Sequence, residues 1–210
     1  VWSPSVSEFS KAWLDDQHRA EESTKARYKT ILSAQVLPAF GVMRLDTLSA
    51  LDVERWLQRL RSTGLAPASV NLALFVLRRV MTEAVNRRLI QSNQVTGVRP
   101  IPRIQAEMSF WTSGEASKFL RHCKSASPRY FPLFFLALNT GMRLNEMVGL
   151  QWDCVSLESG LLTVKRAICC ETGLLKETTK GKRIRYVPIN SELRTLLVSL
   201  RTGSNEREIG

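Results

Sequence analysis

Apolar residues recur at intervals of three and four along the first half of the chain, which is the spacing of amphipathic helices. Serine, threonine, glycine and proline separate these runs, as helix caps and turns do. The spacing places Leu51 and Phe75 in the core. It also predicts that Trp13, Trp56 and Trp152 are packing residues rather than base-stacking platforms. The four predicted helices run from Ser5 to about Gln17, from Ser23–Thr24 to Phe40, from Ser49 towards Gly64, and from Ser69 to about Ile90.

A proline-containing segment separates this helical region from a second one. Pro100 and Pro102 have no backbone N–H to donate and favour extended backbone, so residues 98–105 are the predicted linker. The predicted domains are therefore residues 1–97 and residues 106–210.

The pattern of the second region changes from helical to strand-like. The nearly all-apolar run Tyr130–Asn139 predicts a central buried helix. Leu161–Val164 and Arg183–Ile189 have strand character, with a turn signal at residues 179–182 between them. We therefore expect a mainly α fold with a small antiparallel sheet, in which a four-helix domain precedes an α+β domain. Further helices are predicted after Thr112 and from Ser191 to about Leu200.

Basic residues outnumber acidic ones in both halves of the chain. The net charge is +11, with 15 basic residues in each half against 9 acidic residues in 1–105 and 10 in 106–210. Such an even excess favours a long polyanionic partner over a basic tail, and nucleic acid is the commonest polyanion. A merely basic soluble protein is the alternative.

The cysteines and histidines show no metal-ligand spacing. Cys169 and Cys170 are adjacent and therefore poorly placed to bridge each other, and Cys123 and Cys154 stand apart. These features predict reduced thiols in a cytoplasmic protein, without a zinc site. No run of about 18 apolar residues is present, so no membrane span is predicted. The first residues include neither an initiator methionine nor a signal peptide, and we expect a piece of a longer protein.

The run from Leu138 to Trp152 carries the most specific pattern. It reads Leu-Asn-Thr-Gly-Met-Arg-Leu-Asn-Glu-Met-Val-Gly-Leu-Gln-Trp and places Arg143 at the corner between the apolar helix and an amphipathic one. A guanidinium held there by core packing presents paired donors suited to two oxygens of one phosphate. Glu146, three residues on, shares its helical face and is placed to fix that guanidinium or a neighbour. An interior arginine–glutamate pair that only ties two helices together is the alternative.

This run resembles the first active-site box of the tyrosine recombinases, the phage integrase family. The helical region is similar to the family's SAM-like core-binding domain, and Phe110–Ala116 is similar to the start of its catalytic domain. The resemblance therefore covers nearly the whole chain. It implies that Arg143 clamps the non-bridging oxygens of the scissile phosphate, with Glu146 in a supporting role. It also implies a hairpin lysine that protonates the leaving 5′ oxygen, a position that Lys180 matches and for which Lys182 is the alternative.

The family's remaining catalytic residues have no match in this sequence. A His-x-x-Arg pair, a third His or Trp, and a tyrosine nucleophile follow the last strand and helix in that family. Here Tyr28 and Tyr130 lie on helices that we expect to be packed, and Tyr186 belongs to a strand. We therefore expect a catalytic domain that is incomplete at its C-terminus and inactive alone. The resemblance implies that the complete parent forms a 3′-phosphotyrosine and needs no cofactor, neither a metal nor a nucleotide.

Double-stranded DNA is the expected partner. The resemblance implies a homotetramer on DNA for the complete parent, and we expect this chain alone to be monomeric. The alternative functions are a short, catalytically inactive DNA-binding protein that occupies recombination sites and a relative of type IB topoisomerases. Contacts with phosphates would make the affinity salt-dependent. The candidate DNA-binding residues are Lys25, Arg27, Lys29, Ser69, Asn71, Arg78, Arg79 and Lys182.

Overall fold

The chain forms two compact units in the computed structural model, residues 1–107 and residues 108–210. These are the N-terminal unit and the C-terminal unit. The structure describes residues 3–18, 20–103, 107–169, 172–177 and 183–205. Among these residues, no helix is both long enough and apolar enough to cross a membrane.

The N-terminal unit is helical, as the apolar spacing predicts. Its helices pack around one buried cluster that includes Trp13, Phe40 and Trp56. The second helix begins just before the predicted cap at Ser23–Thr24, because the extended backbone that precedes it lies at Glu21. The helical segments are α1 (Val6–Asp15), α2 (Glu22–Ile31), a π-helical turn (Leu32–Val36), α3 (Leu37–Phe40), α4 (Ala50–Ser62) and α5 (Pro67–Asn86).

Serine caps fix the starts of α1 and α4. The hydroxyls of Ser5 and Ser49 each accept a hydrogen bond from the backbone N–H three residues further on. The carboxylates of Glu8 and Asp52 accept the N–H of the capping serine in return. Reciprocal capping of this kind contributes about 1 kcal/mol per helix and confirms the helix start predicted after each serine.

Two residues that the spacing places in the core of the N-terminal unit are exposed. Leu51 is 53% exposed in the first turn of α4, whereas Val53 and Trp56 of the same helix are buried. Phe75 is 46% exposed, and its ring lies beneath the Arg79 guanidinium at 5.9 Å. Both residues lie at the edge of an apolar stripe, where helical spacing is satisfied although the described part of the chain leaves the side chain largely uncovered. The prediction that they are core residues is therefore wrong.

The first part of the predicted linker packs against the N-terminal unit. Val98 is 1% exposed, and the Arg78 guanidinium donates a hydrogen bond to its carbonyl. Asn71 holds Ile101 by two bonds, because its Nδ2 donates to the Ile101 carbonyl at 2.9 Å and its Oδ1 accepts the Ile101 N–H at 2.8 Å. The side chains of α5 therefore fix the path of this irregular segment.

Arg88 follows α5 in a left-handed conformation, with φ of 58°. The N–H groups of Arg88 and Leu89 donate to the carbonyls of Val85 and Ala84, which is the pattern of a Schellman helix end. Because glycine adopts this conformation without a steric cost, Arg88→Gly is expected to raise the free energy of unfolding of the N-terminal unit by about 1 kcal/mol. Urea unfolding measures the change. Arg88→Ala removes the same exposed side chain but keeps Cβ, so a gain of equal size in that variant would contradict this interpretation.

The C-terminal unit combines helices with small antiparallel sheets, which confirms the predicted fold class. The elements are α6 (Ser113–Ala126), α7 (Phe131–Thr140), α8 (Leu144–Val148), a 3₁₀ turn (Trp152–Cys154), β1 (Val155–Ser156), β2 (Leu161–Val164), β3 (Ala167–Ile168), β4 (Leu175–Lys176), β5 (Arg185–Pro188) and α9 (Ser191–Asn205). One sheet has the strand order β1-β2-β5, and β3 pairs with β4 separately. Strands β2 and β5 pair from Leu161↔Pro188 to Val164↔Arg185.

Helix α7 is not the central buried helix that its composition predicts. Leu136 is buried, but Phe134 is 37% exposed and Leu138 is 45% exposed. Helices α6, α8 and α9 contact α7, and within the described ranges only one side of α7 is covered, where Leu136 joins the buried cluster that contains Leu162 and Leu193. Composition reports how apolar a helix is, whereas burial depends on how many elements surround it, so the prediction is wrong for these residues.

Three further expectations for the C-terminal unit are corrected. Trp152 is 40% exposed rather than packed, and the Arg201 guanidinium lies over its ring at 6.0 Å. Tyr130 precedes α7 and is 52% exposed, so it is not a packed residue. Helix α9 continues past the predicted end at Leu200 to Asn205.

Candidate active site

Arg143 stands at the start of α8, immediately after the turn that ends α7. Gly141 has φ of 60°, the left-handed conformation that reverses the chain, and Met142 is buried. The backbone that leads into Arg143 is therefore fixed, whereas its side chain is 67% exposed. The expectation that core packing holds the guanidinium is wrong, and the same exposure argues against the alternative of an interior ion pair.

A buried carboxylate holds Arg143 instead. Glu146 is 2% exposed, and its Oε2 accepts the Arg143 backbone N–H at 2.9 Å. Its Oε1 accepts a hydrogen bond from Arg143 Nη1 at 3.0 Å. This is the contact that the three-residue spacing predicts. The Glu146 side chain both caps α8 and anchors one nitrogen of an otherwise exposed guanidinium.

The second partner of Glu146 is Arg185 in β5, a residue that no sequence motif marks as functional. Its Nη1 and Nη2 donate to Oε1 and Oε2 of Glu146 at 2.9 Å and 2.6 Å, which is a bidentate arrangement. A sequence signal does exist, because a glutamate that becomes buried needs a cationic partner, and the predicted strand after residue 182 carries arginines. Strand alternation places Arg183 and Arg185 on the same face, so that signal would have left two candidates.

The two arginines stabilise the ionised form of Glu146. Hydrogen bonding from Arg185 is the largest cause and outweighs the opposing effect of burial, so that the pKa of Glu146 is lowered from 4.5 to about 2. The same hydrogen bonding raises the pKa of Arg185. At neutral pH this cluster of Arg143, Glu146 and Arg185 carries one more positive than negative charge, which suits an anionic ligand.

The two candidate lysines, Lys180 and Lys182, lie outside the described residues, as does the turn predicted at residues 179–182. Their choice as general acid therefore stays a prediction. In the sequence, both lysines fall between the end of β4 at Lys176 and the start of β5 at Arg185.

A second ion-pair cluster anchors the chain where it leaves β4. The Arg166 guanidinium donates to both carboxylate oxygens of Asp153, at 2.7 Å and 2.8 Å, and to Glu177 at 3.0 Å. Hydrogen bonds from Arg166 and then Lys165 lower the pKa of Asp153 to about 2. These bonds tie the residue after β4 to the 3₁₀ turn that precedes β1.

Some of the candidate DNA-binding residues of the N-terminal unit already bond to other groups of the protein, and others do not in the contacts among the described residues. Asn71 and Arg78 bond to the backbone of the irregular segment after α5, and Lys25 pairs with Glu22 at 3.2 Å. Arg79 is exposed and lies over the Tyr28 ring at 6.0 Å. Their contacts with DNA stay predictions. The remaining members are Arg27 and Lys29, which are exposed on α2, and Ser69, which is half-buried.

The surroundings of Tyr28 and Tyr186 differ. Tyr28 is buried and stacks on Trp13, with 5.5 Å between the ring centroids. Tyr186 is 66% exposed and follows Arg185 in β5, so the two side chains lie on opposite faces of the strand. In the described part of the chain, no group of His, Cys, Asp and Glu side chains is placed to hold a metal ion.

Comparison with known families matches both units. The phage integrase family matches residues 109–208, and the phage integrase N-terminal SAM-like domain matches residues 5–61. The chain therefore belongs to the phage integrase family of tyrosine recombinases. The resemblance inferred from residues 138–152 is confirmed.

Individual relatives agree with this assignment. The chain is 26% identical over 174 residues to the ICEBs1 integrase of Bacillus subtilis (strain 168) and 27% identical over 184 residues to a tyrosine recombinase XerC-like protein of Caldanaerobacter subterraneus. Each comparison covers 80% of this chain and 46% of the relative. The chain thus spans about half the length of the curated relatives that it matches.

A solved structure shows the same fold. The Tn1549 transposon integrase, in complex with transposon right end DNA, is similar with a TM-score of 0.84 and 16% sequence identity. The similarity covers 95% of this chain and 65% of that one.

Proposed function

We propose that this chain is the DNA-binding and phosphate-clamping part of a site-specific tyrosine recombinase, an integrase that cuts and rejoins DNA. The observation that carries the proposal is the Arg143 guanidinium, which Glu146 anchors at one nitrogen and which is 67% exposed. A planar cation presented in this way suits two oxygens of one phosphate. Family membership and the net charge of +11 support DNA as the source of that phosphate.

In the proposed reaction, Arg143 holds the non-bridging oxygens of the scissile phosphate. Negative charge grows on these oxygens as the phosphorus becomes five-coordinate, so a fixed cation lowers the barrier. Lys180, or alternatively Lys182, protonates the leaving 5′ oxygen. A tyrosine outside this chain attacks the phosphorus and forms the 3′-phosphotyrosine, which conserves the phosphodiester bond energy for rejoining. The chain alone is then expected to bind DNA as a monomer without cutting it, and the tetramer belongs to the complete protein.

Salt-dependent DNA binding tests this function. Fluorescence anisotropy with a labelled duplex is expected to show binding that weakens steeply with salt. Arg143→Ala should lower the affinity and reduce the slope of log K against log salt by about 1, because one phosphate contact is lost. Arg194→Ala is the matched control, since it removes the same charge from an exposed position on α9. Equal losses in the two variants would contradict the role of Arg143. Salt-independent binding would contradict contacts with phosphate, and the absence of binding would contradict DNA binding altogether.

An inactive protein that occupies recombination sites is the second candidate, because no tyrosine of this chain matches the nucleophile's position. Both candidates bind DNA with the same surface, so binding does not separate them. The mass of the native protein does, when it is detected in its source cells with an antibody against this chain. A product well above 23.8 kDa would support the recombinase, and a product of 23.8 kDa would support the binding protein.

A further inference from the structure

Glu146 is shared by two arginines that hold it differently. Arg185 donates two parallel hydrogen bonds to the Glu146 carboxylate, whereas Arg143 donates one from its side chain and one from its backbone N–H. We propose that Arg185 is a positioning residue of the phosphate site, which locks the Glu146 carboxylate so that Arg143 is presented to phosphate in one orientation. This inference rests on the proposed function for its phosphate ligand, but the effect of Arg185 on the order of the Arg143 side chain is tested without DNA.

The hydrogen-bond capacity of Glu146 is fully used. A carboxylate offers about four acceptor positions, two on each oxygen. Oε1 accepts from Nη1 of Arg143 and Nη1 of Arg185, and Oε2 accepts from the Arg143 N–H and Nη2 of Arg185. Because every position is occupied and the side chain is 2% exposed, rotation of the carboxylate would break bonds that water cannot replace.

Arg185 also sets the charge that a ligand meets. Without Arg185, Glu146 and Arg143 would form a neutral pair. Two acceptor positions of the Glu146 carboxylate would then be vacant, and the Arg143 guanidinium could bind the carboxylate with two parallel hydrogen bonds. That arrangement would withdraw the donors that phosphate needs. With Arg185 present, the carboxylate is already satisfied by one fork, and the cluster keeps a net positive charge.

The sheet holds Arg185 in place. Its Cα pairs with that of Val164, a residue 1% exposed in the core of the C-terminal unit. The backbone of the positioning residue is therefore fixed by the β2–β5 ladder, and its side chain, 37% exposed, spans from the strand to the first turn of α8. Arg185 thus connects the sheet to Glu146, which in turn anchors the Arg143 guanidinium.

Side-chain NMR of the intact 210-residue chain tests whether Arg185 keeps the Arg143 guanidinium in one orientation. The Nε–Hε signal of Arg143, identified by its loss in Arg143→Lys, reports the order of the guanidinium. In Arg185→Met its order parameter should fall below about 0.6, the range of flexible groups, while the amide spectrum stays native. The carboxyl titration of Glu146 should move from about 2 towards its ordinary range in the same variant. Arg194→Met, which removes an equal charge from α9, should change neither quantity.

DNA binding supplies a second readout. The loss of affinity caused by Arg143→Ala should shrink to less than about twofold in the Arg185→Met background, because an unpositioned guanidinium contributes little. If Arg185→Met does not fold, Arg185→Lys tests the proposal instead. Lysine keeps the charge but cannot form two parallel hydrogen bonds with Glu146, so the order parameter of Arg143 should still fall. An Arg143 signal that stays ordered in a folded Arg185 variant would overturn the proposal. Failure to bind DNA would overturn the proposed function and leave the NMR result standing.

Discussion

The free energy of unfolding of the C-terminal unit is expected to fall by about 3 kcal/mol between about pH 5 and about pH 2 through Glu146 alone. The pKa of this carboxyl is 4.5 without its partners and about 2 in the folded chain, chiefly because Arg185 bonds to the ionised form. As the pH falls, the unfolded chain therefore binds the proton first. The stabilisation is complete above the unfolded pKa and is lost as the pH approaches the folded one, at about 1.4 kcal/mol per pKa unit.

Urea titrations at several pH values, followed through the amide signals of β2 and β5, measure this dependence. Glu146→Gln is the control, because it keeps the shape of the side chain but has no proton to titrate. The pH dependence of its stability should be smaller than that of the unchanged chain by about 3 kcal/mol over this range. The Asp153 carboxyl, whose pKa is also about 2, titrates in both proteins, so the difference isolates Glu146. Identical pH profiles would show that Glu146 is not ion-paired in the folded protein.

The start of each capped helix is predictable from sequence because its cause is local. Ser49 and Thr112 bond to backbone within one turn, and no distant residue is needed. The position of Arg143 between α7 and α8 can be predicted for a similar reason, since Gly141 and the apolar run of α7 mark the end of α7. The Arg143–Glu146 contact follows from a spacing of three within one helical turn.

Features that depend on distant partners are not predictable in this way. Arg185 reaches Glu146 across 39 positions of sequence, and the β2–β5 pairing that holds Arg185 joins segments that are themselves distant in sequence. Asn71 resembles a candidate DNA contact because it is polar and opens a helix, yet both ends of its amide bond to Ile101, 30 residues away. The exposure of α7 has the same origin, because its own residues do not determine which elements surround it.

Trp56→Ala is expected to lower the free energy of unfolding of the N-terminal unit by about 4 kcal/mol. The indole is 2% exposed, and its ring packs edge-on against Phe40 with 5.1 Å between centroids. Its Nε1 also donates to the Gln35 carbonyl at 3.2 Å. The substitution leaves a cavity between packed helices and removes a donor from a partly buried carbonyl, and both effects have the same sign.

Leu51→Ala is the matched control for this prediction, because Leu51 is an apolar residue of the same helix but is 53% exposed. Its effect should stay within about 0.5 kcal/mol in urea unfolding. The pair of variants also separates packing from base stacking. A packing tryptophan affects DNA affinity only where the fold is lost, whereas a stacking platform loses about 1–3 kcal/mol of binding with the fold intact. A Trp56→Ala protein that is nearly as stable as the unchanged chain but has lost DNA affinity would therefore overturn the packing role.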